Sequence, residues 1–264
     1  MIRGLAMPAA ASVQEATESC FPERVRATFN ERAEGWNRKY SPGGRLLWRL
    51  DEFCVALTRC VEPATEVLDL GCGTGHLADH LNQRHYRVTG CDIAERMISN
   101  ARRNFGNETI NWVTVPAAWT RLPFPDGTFA AVVASSVFEY LADVELAFME
   151  IARVLSDRGI LIFNVPNPGN FRRRREDWSE RLTKQRWIRR SVCVIPRARR
   201  YLGYLDLSKN RYALQKWEHI ALRHGLLPLG NRSQRPHRRP LYLFTLRKGA
   251  SEDAVKSKPP PRAP

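Results

Sequence analysis

Short apolar runs alternate with amphipathic stretches through the middle of this chain. Runs rich in Val, Ile and Leu predict buried strands, and stretches with apolar positions every three or four residues predict helices. The strands are expected at 65–70, 86–91, 110–115, 129–135 and 159–165, and the helices at 75–83, 94–104 and 143–155. Because strands and helices alternate with short connections, we expect an α/β fold: a doubly wound, mostly parallel sheet with helices on both faces.

Both ends of the chain depart from this alternation. Before it, helices at 22–34 and 44–60 predict an N-terminal helical cap over residues 21–60; after it, a helix at 211–224 and strands at 226–232 and 240–247 predict an antiparallel hairpin that completes seven strands. Between them, residues 167–210 form an Arg-rich insertion with no clear strand. We therefore expect one domain over residues 21–250, with disordered ends at 1–20 and 251–264.

Charge is distributed unevenly along the 264 residues. The net charge is +15, yet residues 1–170 hold 17 Lys and Arg against 20 Asp and Glu, whereas residues 171–248 hold 22 against 5. This asymmetry indicates an anionic substrate or partner near the later segment. The alternatives are a nucleic-acid surface, a membrane-surface helix and a solvated basic face. Trp178 and Trp187 are nine residues apart, about half a turn out of phase on a single helix, which argues against the membrane alternative.

Other features of the sequence bound the location of the protein. The longest apolar runs are far too short for a membrane span, and the Ala-rich start, interrupted by Pro8, is a poor signal peptide. The six cysteines form no C-x-x-C pair and no zinc spacing. We expect reduced cysteines and a cytoplasmic protein, and the sequence leaves the oligomeric state open.

The stretch VLDLGCGTG at 67–75 carries the clearest chemical signal. A predicted strand breaks into a turn with Gly71, Gly73 and Gly75, at the position where open α/β sheets bind nucleotide-like ligands. The dinucleotide fingerprint needs its third glycine at position 76, where this chain has His76, and no Gly-Lys-Ser/Thr of a P-loop follows. The alternative is a tight turn with no ligand.

A carboxylate stands at the expected distance from this turn. Asp92 ends the second predicted strand, 19 residues beyond Gly73. An acid at this distance accepts hydrogen bonds from both hydroxyls of a ribose in nucleotide-binding folds. The alternative is a solvent-exposed acid at a strand end.

Three blocks in order carry a family resemblance. After the glycine turn come LPFPDGTF at 122–129, EIARVL at 150–155 and GIL at 159–161. Together they resemble the class I S-adenosylmethionine-dependent methyltransferases of the small-molecule type, and are most similar to the ubiquinone-biosynthesis and related O-methyltransferases. The resemblance runs from about Phe29 to Pro166 and implies a Rossmann-like, seven-stranded sheet and S-adenosylmethionine as the cofactor.

The resemblance also implies roles for individual residues. Residues of the glycine turn would line the methionine end of the cofactor: Asp69, Gly71, Cys72, Gly73, Thr74 and Gly75. Asp92 would hold the ribose, Ile93 would pack on the adenine, and Ser135 would face the methionyl group. Trp36 and Tyr40 of the helical cap would close over the site.

Departures from the family pattern limit what the resemblance implies. Ala117 and Ala118 stand where an acid near the adenine is usual, Ala130 replaces the usual strand-four Asp, and Tyr140 replaces the usual His. Because Glu139 is then the one acid left at that point, no metal is predicted.

The candidate catalytic bases are few. Glu139 and Tyr140 are the first candidates, and His219 and His224 follow, although histidines on a predicted helix also serve packing or the surface. The sequence thus predicts methyl transfer to a small-molecule acceptor, with an anionic or lipid-linked metabolite as candidates. The alternatives are a basic nucleic-acid-binding protein or RNA methyltransferase, and a non-catalytic cofactor-binding relative.

Overall fold

The structure is a computed structural model that describes residues 10–106, 108–183, 185–229 and 240–250. The strands are β1 (Glu66–Leu70), β2 (Arg87–Asp92), β3 (Ile110–Thr114), β4 (Phe129–Ala134), β5 (Leu155–Pro166), β6 (Leu226–Pro228) and β7 (Leu241–Lys248). The helices are α1 (Ala10–Arg32), α2 (Leu47–Thr58), α3 (His76–Asn82), α4 (Glu95–Phe105), α5 (Val144–Val154), α6 (Phe171–Thr183), α7 (Arg186–Val192), α8 (Pro196–Leu207) and α9 (Leu214–Arg223).

The strands form one seven-stranded sheet in the order β3-β2-β1-β4-β5-β7-β6. Neighbours from β3 to β5 pair in parallel, whereas β7 pairs antiparallel with both β5 and β6. The prediction of a mostly parallel, seven-stranded sheet with a C-terminal antiparallel hairpin is therefore confirmed. The order reverses between β1 and β4, and this switch point is where such sheets bind ligands.

The two faces of the sheet carry separate hydrophobic cores. Along β1, Leu68 and Leu70 pack on one face with Phe148, while Val67 packs on the other with Phe53. Successive side chains of a strand point to opposite faces, so a central strand covered on both sides must be apolar throughout. This explains why β4 is apolar throughout and why β1 is apolar except at Glu66, where it begins, and at Asp69.

A tryptophan on β3 fixes the packing beside the glycine turn. The Trp112 side chain lies so close to Gly90 that a Cβ there would come within 2.6 Å of its ring, and the same holds for Gly75. Its indole nitrogen donates a hydrogen bond of 2.6 Å to the carbonyl of Gly106. Gly75 and Gly90 are thus needed as packing positions against this ring.

The N-terminal helix is longer than the sequence indicates. α1 begins at Ala10, inside the segment 1–20 predicted as disordered, and residues 1–9 lie outside the described part of the chain. Ala, Gln and Glu are strong helix formers, so this stretch extends the helix even though it has no apolar periodicity. The predicted disordered tail at 251–264 also lies outside the described residues.

The Arg-rich segment, for which the sequence predicts no strand, is helical. It forms α6, α7 and α8, which contact one another as one layer. Helical periodicity is visible in a sequence only where one face enters a core. Few side chains of this layer do so: those buried near its end are Leu202, Leu205 and Leu207.

β6 spans Leu226–Pro228, and residues 230–232 of the strand predicted at 226–232 lie outside the described residues.

Within the described ranges, no helix has the length and apolar character needed to cross a membrane.

Replacing Gly90 by Ala should destabilise the protein. The added methyl group would press on the Trp112 ring inside a packed core, and such overpacking costs about 1–3 kcal/mol. Urea unfolding measures the change. Gly203→Ala is the matched control, because no atom lies within 4 Å of a Cβ in that helix, and it should stabilise by roughly 0.5–1 kcal/mol. Equal effects of the two substitutions would contradict this packing role.

Candidate functional site

A cavity of about 1250 Å³ lies at the carboxyl ends of the central strands. Its floor comes from the ends of β1 and β2 and from the loops after β3 and β4. α1 and the start of α2 form one wall, and α6 and α8 form the other. The predicted site residues that line it are Tyr40, Asp69, Gly71, Cys72, Gly73, Asp92, Ile93, Ala118, Ser135, Glu139 and Tyr140, together with Trp36 and Ala117.

The first half of the glycine turn lines the cavity. Gly71 and Gly73 have φ values of 70° and 56°, which side-chain-bearing residues rarely adopt, and a Cβ on Gly71 would collide with Val137. Thr74 and Gly75 do not line the cavity. Thr74 is buried against His76, and Gly75 caps α3 and packs on Trp112. The structure therefore places these two predicted site residues in the scaffold of the turn.

Asp92 ties the end of β2 to this turn. One carboxylate oxygen accepts the backbone N–H of Gly73 at 2.9 Å, and the other accepts that of Ala94 at 2.8 Å. Burial raises the pKa of Asp92 to about 6, and these two N–H groups oppose the rise. The exposed strand-end alternative is wrong, because the side chain lies in the cavity and holds its shape.

Asp69 is buried at the cavity floor without a partner. The residue is 1% exposed, and neither carboxylate oxygen has a hydrogen bond of ordinary geometry. Burial raises the pKa of Asp69 to about 8, and the negative charge of Asp92 adds to the rise. Because unpaired buried carboxyl groups are costly, this one is poised for a cationic or hydrogen-bond-donating group of a ligand.

The cap residues close the cavity from above. The Tyr40 ring stacks on His76 with centroids 4.4 Å apart, and the Trp36 indole lies over Gly73, 3.5 Å from where a Cβ would stand. The Lys39 ammonium lies 2.9 Å from the centroid of the Trp36 ring. Trp36 and Tyr40 therefore occupy the positions over the glycine turn that the resemblance implies.

Glu139 is buried deep in the wall of the cavity. It accepts a hydrogen bond of 2.7 Å from the hydroxyl of Ser208, and the Tyr204 hydroxyl lies 3.5 Å from the same oxygen. Burial raises the pKa of Glu139, while the Ser208 hydrogen bond and nearby Arg173 oppose the rise. Its neighbour Tyr140 packs edge-on against Phe29, and burial raises the pKa of the Tyr140 hydroxyl.

The two candidate histidines are not brought to this site. His219 and His224 do not line the cavity. The His224 ring instead bonds Glu145 at 2.8 Å and stacks on Phe148. His219 lies on α9 and His224 at its end, so both have the packing or surface role that the sequence left as the alternative to catalysis.

A group of cations on the cavity wall was missed by the sequence analysis. Arg32, Lys39, Arg45 and Arg49 all line the cavity. Burial lowers the pKa of Lys39 to about 7, and the charges of Arg45, Arg32 and Arg49 lower it further. No motif marks these residues, because they come from α1, α2 and the loop between them, where the sequence shows only a helical cap.

Two guanidinium groups of the wall are incompletely paired. Arg49 donates to the Ser136 hydroxyl at 2.9 Å, but its Nε is buried and has no partner. Arg173 is 4% exposed and bonds Glu176 and Asp177, yet one of its terminal nitrogens is also buried without a partner. Both residues line the cavity, so each brings a guanidinium group with an unpaired nitrogen to its wall.

Among the described residues there is no group of three or more His, Cys, Asp or Glu side chains placed to hold a metal ion.

Comparison with known proteins identifies the domain. Residues 68–163 match a family described as a methyltransferase domain. A malonyl-acyl-carrier-protein O-methyltransferase of Geobacter sulfurreducens is 34% identical, over 56% of this chain and 55% of that protein. A demethylmenaquinone methyltransferase of Thermus thermophilus is 37% identical, over 51% of this chain and 62% of that protein. The chain thus spans little more than half the length of these curated relatives.

Solved structures share the fold. A chain of the complex between the Haloferax volcanii Trm112 methyltransferase activator and a methyltransferase superposes with a TM-score of 0.59 at 18% identity, covering 84% of this chain and 97% of that chain. An S-adenosylmethionine-dependent methyltransferase from Mesorhizobium loti gives 0.54 at 19% identity, covering 75% and 99%. Residues 68–163, which match the methyltransferase domain, also build the floor of the cavity, and the comparisons support S-adenosylmethionine as the cofactor of this domain.

Proposed function

We propose that this protein methylates a small anionic acceptor that binds beside the cofactor in the same cavity. The observation that carries the proposal is that each wall of the cavity holds an arginine with an unpaired nitrogen, Arg49 on α2 and Arg173 on α6, while the floor holds the acids Asp69 and Asp92. The cavity, at about 1250 Å³, exceeds the roughly 300–1,000 Å³ that hold one drug-sized ligand. It therefore has room for a cofactor and an acceptor together.

The floor suits the cofactor. Asp69 would pair with the ammonium group of the methionine moiety, Asp92 has lone pairs left for the ribose hydroxyls, and Ile93 and Ala118 offer apolar surface to the adenine. The glycine turn leaves backbone exposed beside them. When bound, S-adenosylmethionine supplies an electrophilic methyl group on a sulfonium sulfur. Partnering Asp69 with a cation would favour its ionised form and offset the cost of its burial.

The wall suits an acceptor with a carboxylate or phosphate. A guanidinium with buried, unpaired nitrogens gains most from an anion, because charge-assisted hydrogen bonds are strong where water is excluded. The crowding of Lys39 by three arginines likewise favours a bound anion. Of the acceptors named for the two relatives, the malonyl group carries a free carboxylate, which supports an acceptor of that chemistry here.

Glu139 is the group we assign to proton removal. A hydroxyl acceptor loses its proton as it attacks, and a buried carboxylate with a raised pKa is a stronger base near neutral pH than an exposed one. An acceptor carboxylate, already ionised, would need only alignment. Tyr140, whose hydroxyl stays protonated because burial raises its pKa, serves as a hydrogen-bond donor or a packing surface.

The thiols support a reducing compartment. Each of the five cysteines whose side chains the structure describes is free of a disulfide. Unpaired thiols are typical of cytoplasmic proteins, and we place this protein in the cytoplasm.

Asp92→Ala should abolish most cofactor binding. The substitution removes the proposed ribose contacts and also the hydrogen bond that holds the glycine turn at Gly73. We expect the affinity for S-adenosylhomocysteine, measured by titration calorimetry, to fall at least tenfold. Asp79→Ala is the control, since Asp79 lies on α3 outside the cavity, and it should bind like the wild type. No binding by the wild-type protein at millimolar ligand would overturn the cofactor assignment.

Arg49→Gln should weaken binding of small anions and leave the cofactor site intact. Loss of a charge-assisted hydrogen bond costs about 1.5–3 kcal/mol, or roughly tenfold to a hundredfold in affinity. The probes are malonate and inorganic phosphate, measured by thermal shift with saturating S-adenosylhomocysteine. Arg59→Gln, at the exposed end of the same helix, is the control. Equal anion responses of the two variants would count against the anion-binding wall.

Glu139→Gln should separate binding from turnover. With a hydroxyl acceptor found by screening for S-adenosylhomocysteine release, we expect turnover to fall by about 10²–10⁴. The affinity for S-adenosylhomocysteine should stay within twofold of the wild type, and Tyr140→Phe should retain most activity. An unchanged rate would remove Glu139 from the reaction. Release of no product with any hydroxyl, amine or carboxylate acceptor would favour the non-catalytic alternative.

A further inference from the structure

Exposed apolar side chains concentrate on the layer formed by α6, α7 and α8. Of the twelve large apolar side chains that are exposed in the described chain, seven lie between residues 171 and 201. Trp178 is 65% exposed, Trp187 69% and Val194 76%. Tryptophan is rarely so exposed in a monomeric surface without a function, and a patch of this kind marks an interaction site.

Trp178 and Trp187 do not lie on one continuous helix, on which a spacing of nine residues would place them half a turn apart. α6 instead ends at Thr183 and α7 begins at Arg186, so the helical phase is not carried across the break. The two tryptophans stand on separate helices that contact each other.

The charge exposed on this layer is almost wholly positive. Residues 171–201 hold twelve Lys and Arg against three acidic residues, Glu176, Asp177 and Glu180. Each of these acids is engaged by one of two nearly buried arginines, Arg173 and Arg211.

Arg189 of α7 pairs with Asp206 of α8, and other arginines of the layer reach solvent. Those described as exposed are Arg174, Arg175, Arg181, Arg190, Arg197 and Arg199. An outer surface that combines cations with Trp, Val and Ile has the composition of interfacial membrane-binding helices.

We propose that the α6–α8 layer docks on an anionic lipid membrane. Trp178 and Trp187 enter the headgroup region, where the indole ring is favoured, and the exposed arginines face the lipid phosphates. Single-stranded RNA would pair with arginines and stack on tryptophans, but it would leave Val194 and Ile195 exposed to water. A second copy of the chain would bring two positive surfaces together.

The same layer forms the rim of the cavity. Phe171, Arg175 and Tyr201 are exposed on the layer and also line the cavity. An acceptor with an anionic head and an apolar tail could therefore pass from the lipid into the site. This link to the acceptor rests on the proposed methyltransferase function, whereas the docking surface itself does not.

Vesicle sedimentation tests the surface on the full chain. Vesicles of phosphatidylcholine mixed in equal parts with phosphatidylglycerol should pellet the wild-type protein, and pure phosphatidylcholine vesicles should not. Added salt should weaken the binding, because the Debye length shortens. The double variant Trp178→Ser and Trp187→Ser should bind at least tenfold more weakly, and Arg190→Glu with Arg197→Glu should bind as poorly.

Matched variants and a second readout keep the result interpretable. Met149→Ser with Leu222→Ser removes exposed apolar side chains from α5 and α9 and should bind vesicles within twofold of the wild type. Each variant is also titrated with S-adenosylhomocysteine. Vesicle binding without cofactor binding supports the docking surface and overturns the proposed function. Cofactor binding without vesicle binding overturns the docking surface and leaves the proposed function standing.

The same experiments distinguish other partners that could bind the α6–α8 layer. Absence of binding to phosphatidylglycerol vesicles, or equal binding by the double tryptophan variant, overturns the proposal. Tight binding of single-stranded RNA in place of vesicles identifies a nucleic-acid surface instead. A dimer seen by light scattering, lost in the tryptophan variant, identifies a second copy as the occupant.

Discussion

The hydrogen bonds from the backbone N–H groups of Gly73 and Ala94 to the Asp92 carboxylate are the constraint on which the site depends. The Gly73 bond joins the end of β2 to the turn after β1, the strand beside the switch point of the sheet, and the Ala94 bond fixes the loop that follows β2. The turn can approach a ligand only while its glycines keep left-handed conformations, and Asp92 holds Gly73 in place. A residue expected to touch the ribose thus also builds the surface that receives the rest of the cofactor.

Charge divides the cavity into two halves. The floor carries Asp69 and Asp92, whose pKa values burial raises to about 8 and about 6, and the wall carries Arg49, Arg173 and Lys39. Each half holds buried groups without partners. A cofactor with a cationic end and an acceptor with an anionic one would satisfy both halves at once. The electrostatics thereby orient the two ligands toward each other.

The α6–α8 layer obtains its order differently from the sheet. Arg211, which follows α8, pairs with Asp177 and Glu180 of α6, and Arg189 of α7 pairs with Asp206 of α8. The pairs of Arg173 with Glu176 and Asp177 lie within α6. The apolar side chains left over point to solvent beside the rim of the cavity. The segment that lines one wall of the cavity is therefore also the segment with an exposed apolar outer face, which places the proposed docking surface next to the proposed acceptor site.

The sequence by itself determined the strands and helices of the sheet, the glycine turn and the position of Asp92. These follow from local periodicity and from spacing along adjacent strands, which a chain expresses within a few dozen residues. It also named Glu139 as a candidate base, but neither its burial nor its hydrogen bond from Ser208, 69 residues later, could be predicted. Only the tertiary structure brought Lys39, Arg49 and Arg173 to one cavity and placed Thr74 and Gly75 outside its lining. Such convergence depends on how distant segments pack across the sheet, and no local pattern encodes it.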